Sequence, residues 1–183
     1  DLPGSCVGVV ERERITDAAR VRTGDAVIGL ASSGPHSNGY SLIRRLVADT
    51  GAGEDTQVAG RPLFDLLMEP TRIYVRAILR LASASPVSAV AHITGGGLTE
   101  NIPRVLPKGL GARLDPRAWR HEPVWDWIQS SGRIADAEMH RTFNCGIGMV
   151  VVVPAAAAEP AVDLLHACGE RASGIGSIVA GGG

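Results

Sequence analysis

The sequence predicts an α/β (α+β) domain, and three observations lead to this prediction. Short β-branched runs alternate with segments of helical periodicity along the chain. Several of these runs are continuously apolar, which is typical of strands that are buried on both faces of a sheet. The length of 183 residues fits one domain with a substantial core. We therefore expect a sheet packed against helices rather than a helical bundle or a β-sandwich.

The individual elements follow from local patterns. Apolar residues recur at helical spacing from Tyr40 to Val47, after the N-cap types Ser37 and Asn38 and before the stop residue Gly51. Further helices are predicted at residues 63–68 and 73–81, from Pro123 onward, and at 155–167. Strands are predicted at residues 6–10, 26–31, 87–93, 112–114, 148–153 and 176–179.

The charge balance excludes some classes of partner. Eighteen lysines and arginines nearly cancel nineteen aspartates and glutamates, so the net charge of −1 offers no global field for nucleic acid or an anionic membrane. Any phosphate must therefore be held locally. The most apolar stretch, 149–153, is far too short to span a bilayer. We expect a soluble, cytoplasmic protein, and the start at Asp1 without a methionine reads as the middle of a longer chain.

The three cysteines, Cys6, Cys145 and Cys168, show no metal-ligand or redox spacing. An odd number of this kind fits reduced thiols in a cytosolic protein better than a disulfide framework. Cys145 has no base partner nearby in the sequence, which favours a structural thiol over a nucleophile. No cluster of metal ligands is evident, so we predict no metal site in this chain.

The first candidate site is the loop between the strand at 26–31 and the first helix. It contains Ser33, Gly34, His36, Ser37 and Asn38. The start of a helix leaves backbone N–H groups unpaired, and small residues allow the oxygens of an anion to approach them. The alternative is an ordinary turn in which Ser37 caps the helix and His36 is a hydrogen-bonded surface residue.

The second candidate site follows the strand at 87–93, where Thr94 precedes Gly95, Gly96 and Gly97. Three consecutive glycines cost conformational entropy on ordering, and close approach of the backbone to a phosphate would explain them. The loop is neither a Walker motif nor a dinucleotide fingerprint, because the required spacing is absent. The alternative is a flexible loop without a ligand.

A third polar stretch, residues 139–149, precedes the Val-rich strand at 148–153. Within it, Asn144 and Arg141 are placed to contact a ligand, or alternatively to pin the loop to the rest of the protein. The tryptophans 119, 125 and 127 are predicted to contribute to packing rather than to stack on a base.

Four segments together carry a family resemblance. SGPHSNGYSL begins at Ser33, PTRIYV at Pro70, HITGGG at His92 and RTFNCGIGM at Arg141. In this order and spacing they resemble the C-terminal half of the aminoimidazole ribonucleotide synthetases, the ATP-dependent cyclo-ligases of purine biosynthesis. The segment at 6–11 resembles the start of that half, so the resemblance covers residues 1–183, with 1–24 leading in from an N-terminal ATP-binding domain.

The resemblance implies a three-layer α/β/α domain with a mixed sheet that is partly ferredoxin-like. It also implies an N-terminal domain that forms a homodimer and binds most of the ATP and Mg²⁺, with no nucleic acid or membrane partner. The reaction closes formylglycinamidine ribonucleotide to aminoimidazole ribonucleotide and releases ADP and phosphate. The protein would act mainly by positioning and charge stabilisation. We expect the present chain alone to be inactive.

Carried over to this sequence, the resemblance implies roles for particular residues. His36 and Asn38 would orient the formylamidine or the transferring phosphoryl group. Thr94 and the amides of the three following glycines would hold the ribose 5′-phosphate. The remaining substrate-binding or phosphate-binding candidates are Ser33, Gly34, Ser37 and Asn144. Two alternatives stay open: another ATP-dependent member of the superfamily, such as a formylglycinamidine ribonucleotide synthetase-like enzyme, or a non-catalytic phosphate-binding module.

Overall fold

The computed structural model describes residues 7–12 and 15–181. A five-stranded sheet forms its centre, with the strand order β4–β6–β1–β7–β5. A two-stranded hairpin, β2–β3, lies outside it. The strands are β1 (Ala26–Ala31), β2 (Gln57–Val58), β3 (Arg61–Pro62), β4 (Ala89–His92), β5 (Leu110–Leu114), β6 (Ile147–Val153) and β7 (Ala172–Ala180).

The helices are α1 (Tyr40–Thr50), α2 (Leu63–Leu67), α3 (Val75–Ala84), α4 (Gly97–Asn101), α5 (Pro123–Gly132), α6 (Asp136–Thr142) and α7 (Ala158–Ala167). Strands and helices are interspersed along the described chain, so the predicted α/β (α+β) class is confirmed. None of the helices in residues 7–12 and 15–181 is long and apolar enough to cross a bilayer.

The sheet is ferredoxin-like with one added strand. Four of its strands count, in chain order, as strands 1 to 4 of this topology: β1, β4, β6 and β7. Read across the sheet from β7 to β4, they lie in the order 4-1-3-2 that defines a ferredoxin-like sheet. The fifth strand, β5, extends the sheet beyond β7. The expectation of a mixed sheet is wrong. All four pairs of neighbouring strands in the sheet are antiparallel. The reason is that β1 and β4 run in the same direction but β6 lies between them.

Both faces of the central strands are buried, as the apolar runs predict. Val27 of β1 packs with Val150 of β6 and with residues of α4 on one face. Ile28 and Val151 point to the other face, where they pack against residues of α3 and α7. Alternation along a strand therefore supplies two cores, and helical segments cover the sheet on both sides.

A third apolar cluster lies among the helices α1, α2, α5 and α6. Trp125 and Phe143 are fully buried there, with ring centroids 5.9 Å apart and planes tilted by 52°. The prediction that Trp125 contributes to packing is therefore confirmed. Trp119 is partly buried, and its indole N–H donates to the carbonyl of Cys145 at 2.9 Å.

Some predicted element boundaries are wrong. Residues 7–10 form no strand and are exposed, while Cys6 lies outside the described residues. The N-cap of α1 is Gly39 with φ +75°, rather than Ser37 or Asn38. A side chain at Gly39 would approach the Phe143 ring to 2.2 Å, so packing determines this cap. Helix α6 was not predicted, because its polar sequence shows little helical patterning.

Candidate functional site

The four segments that carry the resemblance converge at one end of the sheet. The loops at Ser33 and Thr94 follow the carboxyl ends of β1 and β4. Asn144 lies just before β6, the strand that separates these two. The fourth segment, PTRIYV, is attached through its first residue, because the Ser33 hydroxyl donates to the carbonyl of Pro70 at 2.6 Å. This end of the sheet is the candidate functional site.

His36 turns inward within the first loop. Its φ is +58°, in the left-handed region, and its side chain is only 4% exposed. Nε2 accepts a hydrogen bond from the backbone N–H of Ser33 at 3.2 Å. A neutral imidazole that accepts at Nε2 carries its proton on Nδ1. Among the described residues, nothing accepts a hydrogen bond from this buried Nδ1.

The surroundings of His36 keep it neutral. Burial, with a smaller contribution from nearby His92, lowers the pKa of His36 to about 4. The Tyr74 ring lies 6.3 Å from the His36 ring, and the Tyr74 hydroxyl donates to the carbonyl of Ala31 at 2.8 Å. Burial also raises the pKa of Tyr74. A side chain at Gly148 would come within 2.1 Å of the Tyr74 hydroxyl, so this glycine makes room for both rings.

A cleft of about 590 Å³ opens beside this loop, between α1 and α2. Ser37 is exposed at its margin, and Arg44 places a guanidinium group in its wall. The Tyr40 hydroxyl donates to the carbonyl of Leu67 across the cleft and ties the two helices together. The cleft therefore combines an apolar floor with a hydroxyl, a cation and the Glu69 carboxylate, a composition typical of small-molecule sites.

The glycine loop is held by one side chain, Asn101. This residue is buried, and its amide N–H₂ contacts the carbonyls of Gly95 at 3.2 Å and Gly97 at 2.8 Å. Its Oδ1 accepts from the Thr94 hydroxyl at 3.2 Å. The loop is thus an ordered turn fixed by hydrogen bonds.

Packing accounts for two of the three glycines. Gly97 has φ +56°, and a side chain there would lie 2.1 Å from the carbonyl oxygen of His140. Gly96 has φ +97°, and a side chain would meet Glu100 at 2.7 Å. At Gly95 the nearest atom to an added Cβ is Oδ1 of Asn38, at an ordinary contact distance of 3.7 Å. Only Gly95 keeps an open, exposed backbone that a ligand could approach.

Asn144 is 1% exposed and connects the loops from below. Its amide N–H₂ donates to the carbonyl of Gly34 at 2.9 Å. Its Oδ1 accepts from the hydroxyl of Ser32 and from the backbone N–H of Gly146, both at 2.9 Å. These contacts agree with the alternative in which Asn144 pins the loop.

The two predicted phosphate loops meet where Asn38 faces Gly95. Asn38 is half-buried and its backbone N–H donates to the carbonyl of Pro35 at 3.3 Å. Ser37, Asn38 and Gly95 form the part of the site that is open to a ligand, and we call these three residues the open edge. The buried side chains of His36 and Asn144 lie behind it and hold its shape.

The structure describes no metal-binding cluster at this site. No group of three or more His, Cys, Asp or Glu side chains within residues 7–12 and 15–181 is arranged to hold a metal ion. Cys145 is buried, and burial raises the pKa of its thiol to about 12, so the thiolate is strongly disfavoured at neutral pH. This agrees with a structural thiol.

Three residues of the site were not singled out from the sequence. They are Asn101, which fixes the glycine loop, Tyr74, which packs on His36, and Arg44, which lines the cleft. Asn101 had a usable signal, since an amide side chain four residues after a glycine run can bond several loop carbonyls. Arg44 had none, because nothing in the pattern distinguishes it from its neighbour Arg45.

The comparisons with known proteins agree with this fold. Thiamine-monophosphate kinase from Stenotrophomonas maltophilia K279a is similar with a TM-score of 0.61 and 17% identity, over 95% of this chain and 53% of that one. The structure of tt0281 from Thermus thermophilus is similar with a TM-score of 0.51 and 20% identity, over 90% of this chain and 49% of that one. This chain therefore spans about half the length of these two proteins.

A family match covers most of the sequence. The family described as AIR synthase related protein, C-terminal domain, matches residues 22–183. The match includes the loops at Ser33 and Thr94 and the segment around Asn144. The chain belongs to the family of AIR synthase related protein C-terminal domains.

Proposed function

We propose that this chain is the substrate-side domain of a cyclo-ligase that converts formylglycinamidine ribonucleotide and ATP to aminoimidazole ribonucleotide, ADP and phosphate. The supporting observation is the convergence of the four family-like segments at one end of the sheet. Ser33, Thr94 and Asn144 are far apart in the sequence, yet their loops meet at one end of the sheet.

In this proposal the chain binds and orients the ribonucleotide. Arg44 lines the cleft and offers a positive charge for a phosphate, while the exposed backbone of Gly95 leaves space for another part of the ribonucleotide. Ser37 and Asn38 offer hydroxyl and amide groups to the formylamidine. His36 acts as a neutral positioning residue, because its Nε2 holds the Ser33 amide and its pKa is far below 7.

Mg²⁺ does not fit the residues described here, since these contain no group of His, Cys, Asp or Glu side chains arranged to hold a metal ion, and we place ATP with the metal. We assign both to a second domain, in keeping with relatives about twice as long as this chain. The same proposal includes a cytoplasmic homodimer formed through that domain. The present chain alone should therefore form no ADP, and measurable ADP formation by the purified chain would contradict this assignment.

A second candidate is another ATP-dependent activity of the same superfamily. The observation in its favour is the fold shared with a thiamine-monophosphate kinase over 95% of this chain. Substrate choice separates the two candidates, because a cyclo-ligase domain must recognise a ribose 5-phosphate that carries an amidine, whereas such a kinase must recognise thiamine monophosphate.

Calorimetric titration of the purified chain tests the choice. We expect formylglycinamidine ribonucleotide to bind more tightly than its amide precursor or thiamine monophosphate. Arg44→Ala should weaken binding about tenfold, which corresponds to about 1.4 kcal/mol. The neighbouring Arg45→Ala is the matched control, since Arg45 lies outside the cleft and pairs with Asp49 on the surface. Tightest binding of thiamine monophosphate would favour the second candidate.

A further inference from the structure

A separate cavity of about 450 Å³ borders the backbone of residues 32–34. Four guanidinium groups line it, against two carboxylates from Glu69 and Glu122. We call it the arginine cavity. The four arginines come from separate parts of the chain and are Arg61, Arg72, Arg120 and Arg171.

Three carboxylates, from Glu69, Glu122 and Glu170, pair with the four arginines, which leaves one positive charge unbalanced. Arg171 pairs with Oε1 of Glu122 at 2.8 Å, and Arg120 lies 3.9 Å from the same oxygen. Arg61 lies 3.6 Å from Glu69, beyond hydrogen-bonding distance. One carboxylate thus serves two arginines, and another is only loosely paired. An anion entering the cavity would meet three arginines, Arg61, Arg120 and Arg171, whose present partners are shared or distant.

Arg72 is the rigid member of the group. Its Nε donates to the buried carboxylate of Glu170 at 2.6 Å, and a second guanidinium nitrogen donates to the carbonyl of Gly169 at 2.8 Å. Two fixed contacts orient the guanidinium before any ligand arrives, which lowers the entropic cost of binding. A planar guanidinium group can donate two parallel hydrogen bonds to the oxygens of a phosphoryl group, as it also can to a carboxylate.

We propose that the arginine cavity binds a phosphoryl group, with the Glu122 carboxylate as the internal group that it displaces from Arg171 and Arg120. The cavity is larger than one phosphate ion, so it has room for an attached sugar or a second phosphate. The arginine cavity shares Glu69 with the wall of the α1–α2 cleft, but none of its four arginines lines that cleft. The proposal does not depend on the cyclo-ligase reaction. Failure to bind phosphate here would leave that reaction untouched.

Calorimetric titration of the purified chain with inorganic phosphate, pyrophosphate and ribose 5-phosphate at low salt tests the proposal. We expect saturable binding that weakens as salt is added. Arg171→Gln should lower the affinity about tenfold, since one charge-assisted contact is lost. Tighter binding of pyrophosphate would indicate a polyphosphate ligand, and tighter binding of ribose 5-phosphate would indicate a sugar phosphate; either result supports a phosphoryl site.

Glu122→Gln provides a test that misfolding cannot imitate. Removing the competing carboxylate should raise the affinity for phosphate by about threefold to tenfold. Arg45→Gln is the matched control. Arg45 pairs with Asp49 and does not line the arginine cavity, so its loss should leave the affinity unchanged. Absence of saturable binding, an unchanged or lower affinity in Glu122→Gln, or an equal loss in Arg45→Gln would overturn the proposal.

Discussion

The two loops that were predicted to bind phosphate differ in which of their residues contact the rest of the protein and which remain open. In the Ser33 loop, the most suggestive side chain, His36, points inward and holds the loop's own backbone. In the glycine loop, two of three glycines are required by contacts with neighbouring segments, and one is open. The comparison shows that most residues of a motif typical of ligand binding can serve to hold the loop in place. Only the open edge is then left for the ligand.

The largest expected effect separates Gly97 from Gly95. Gly97→Ala should destabilise the protein by more than about 3 kcal/mol, because its Cβ would collide with the carbonyl of His140 at a left-handed φ. Gly95→Ala has space and should cost at most about 1 kcal/mol. Urea denaturation followed by circular dichroism measures both. Equal losses would contradict the division of the loop into support and open edge.

A second contrast concerns two asparagines, Asn144 and Asn38. Asn144→Ala leaves the carbonyl of Gly34, the N–H of Gly146 and the Ser32 hydroxyl without their buried partner. We expect a loss of about 2–4 kcal/mol in the free energy of unfolding. Asn38→Ala should change it by less than about 0.5 kcal/mol. Thermal melts should show the same order, and a larger loss for Asn38→Ala would show that the open edge also carries the fold.

A third expected effect is a pH dependence from His36. Its pKa is lowered from 6.5 to about 4, so below pH 6.5 the unfolded chain binds a proton that the folded chain does not. The stability that neutral His36 supports is complete above pH 6.5 and is lost as the pH falls toward 4. His36→Gln should flatten this part of the profile in urea denaturation at pH 7 and pH 4.5. A parallel fall in both proteins would exclude His36 as the cause.

Much of the fold was predictable because strongly patterned segments determine it. The strand predicted at 26–31 is β1 with the same bounds, and the predicted helix stop Gly51 is the left-handed C-cap of α1. The antiparallel pairing was not predictable from periodicity, since it depends on β6 entering between β1 and β4. Helix α6 was missed because only Met139 of its seven residues is buried.

The sequence singled out loops that the structure brings together, but it did not show how their side chains are arranged. The sequence directed attention to Ser33, Thr94 and Asn144, and the structure brings their loops together. It could not show which way His36 faces, because a positive φ at a non-glycine residue leaves no signal in a single sequence. Nor could it separate Gly95 from Gly97, since only their three-dimensional neighbours distinguish them.

The most direct test of the account is an amide NMR titration of the chain with formylglycinamidine ribonucleotide. The account predicts that the amide signals of Ser37, Asn38 and Gly95 move together with one dissociation constant, while that of Gly97 moves little. A response confined to other surfaces, or none at millimolar ligand, would contradict the claim that the open edge is where the chain meets its substrate.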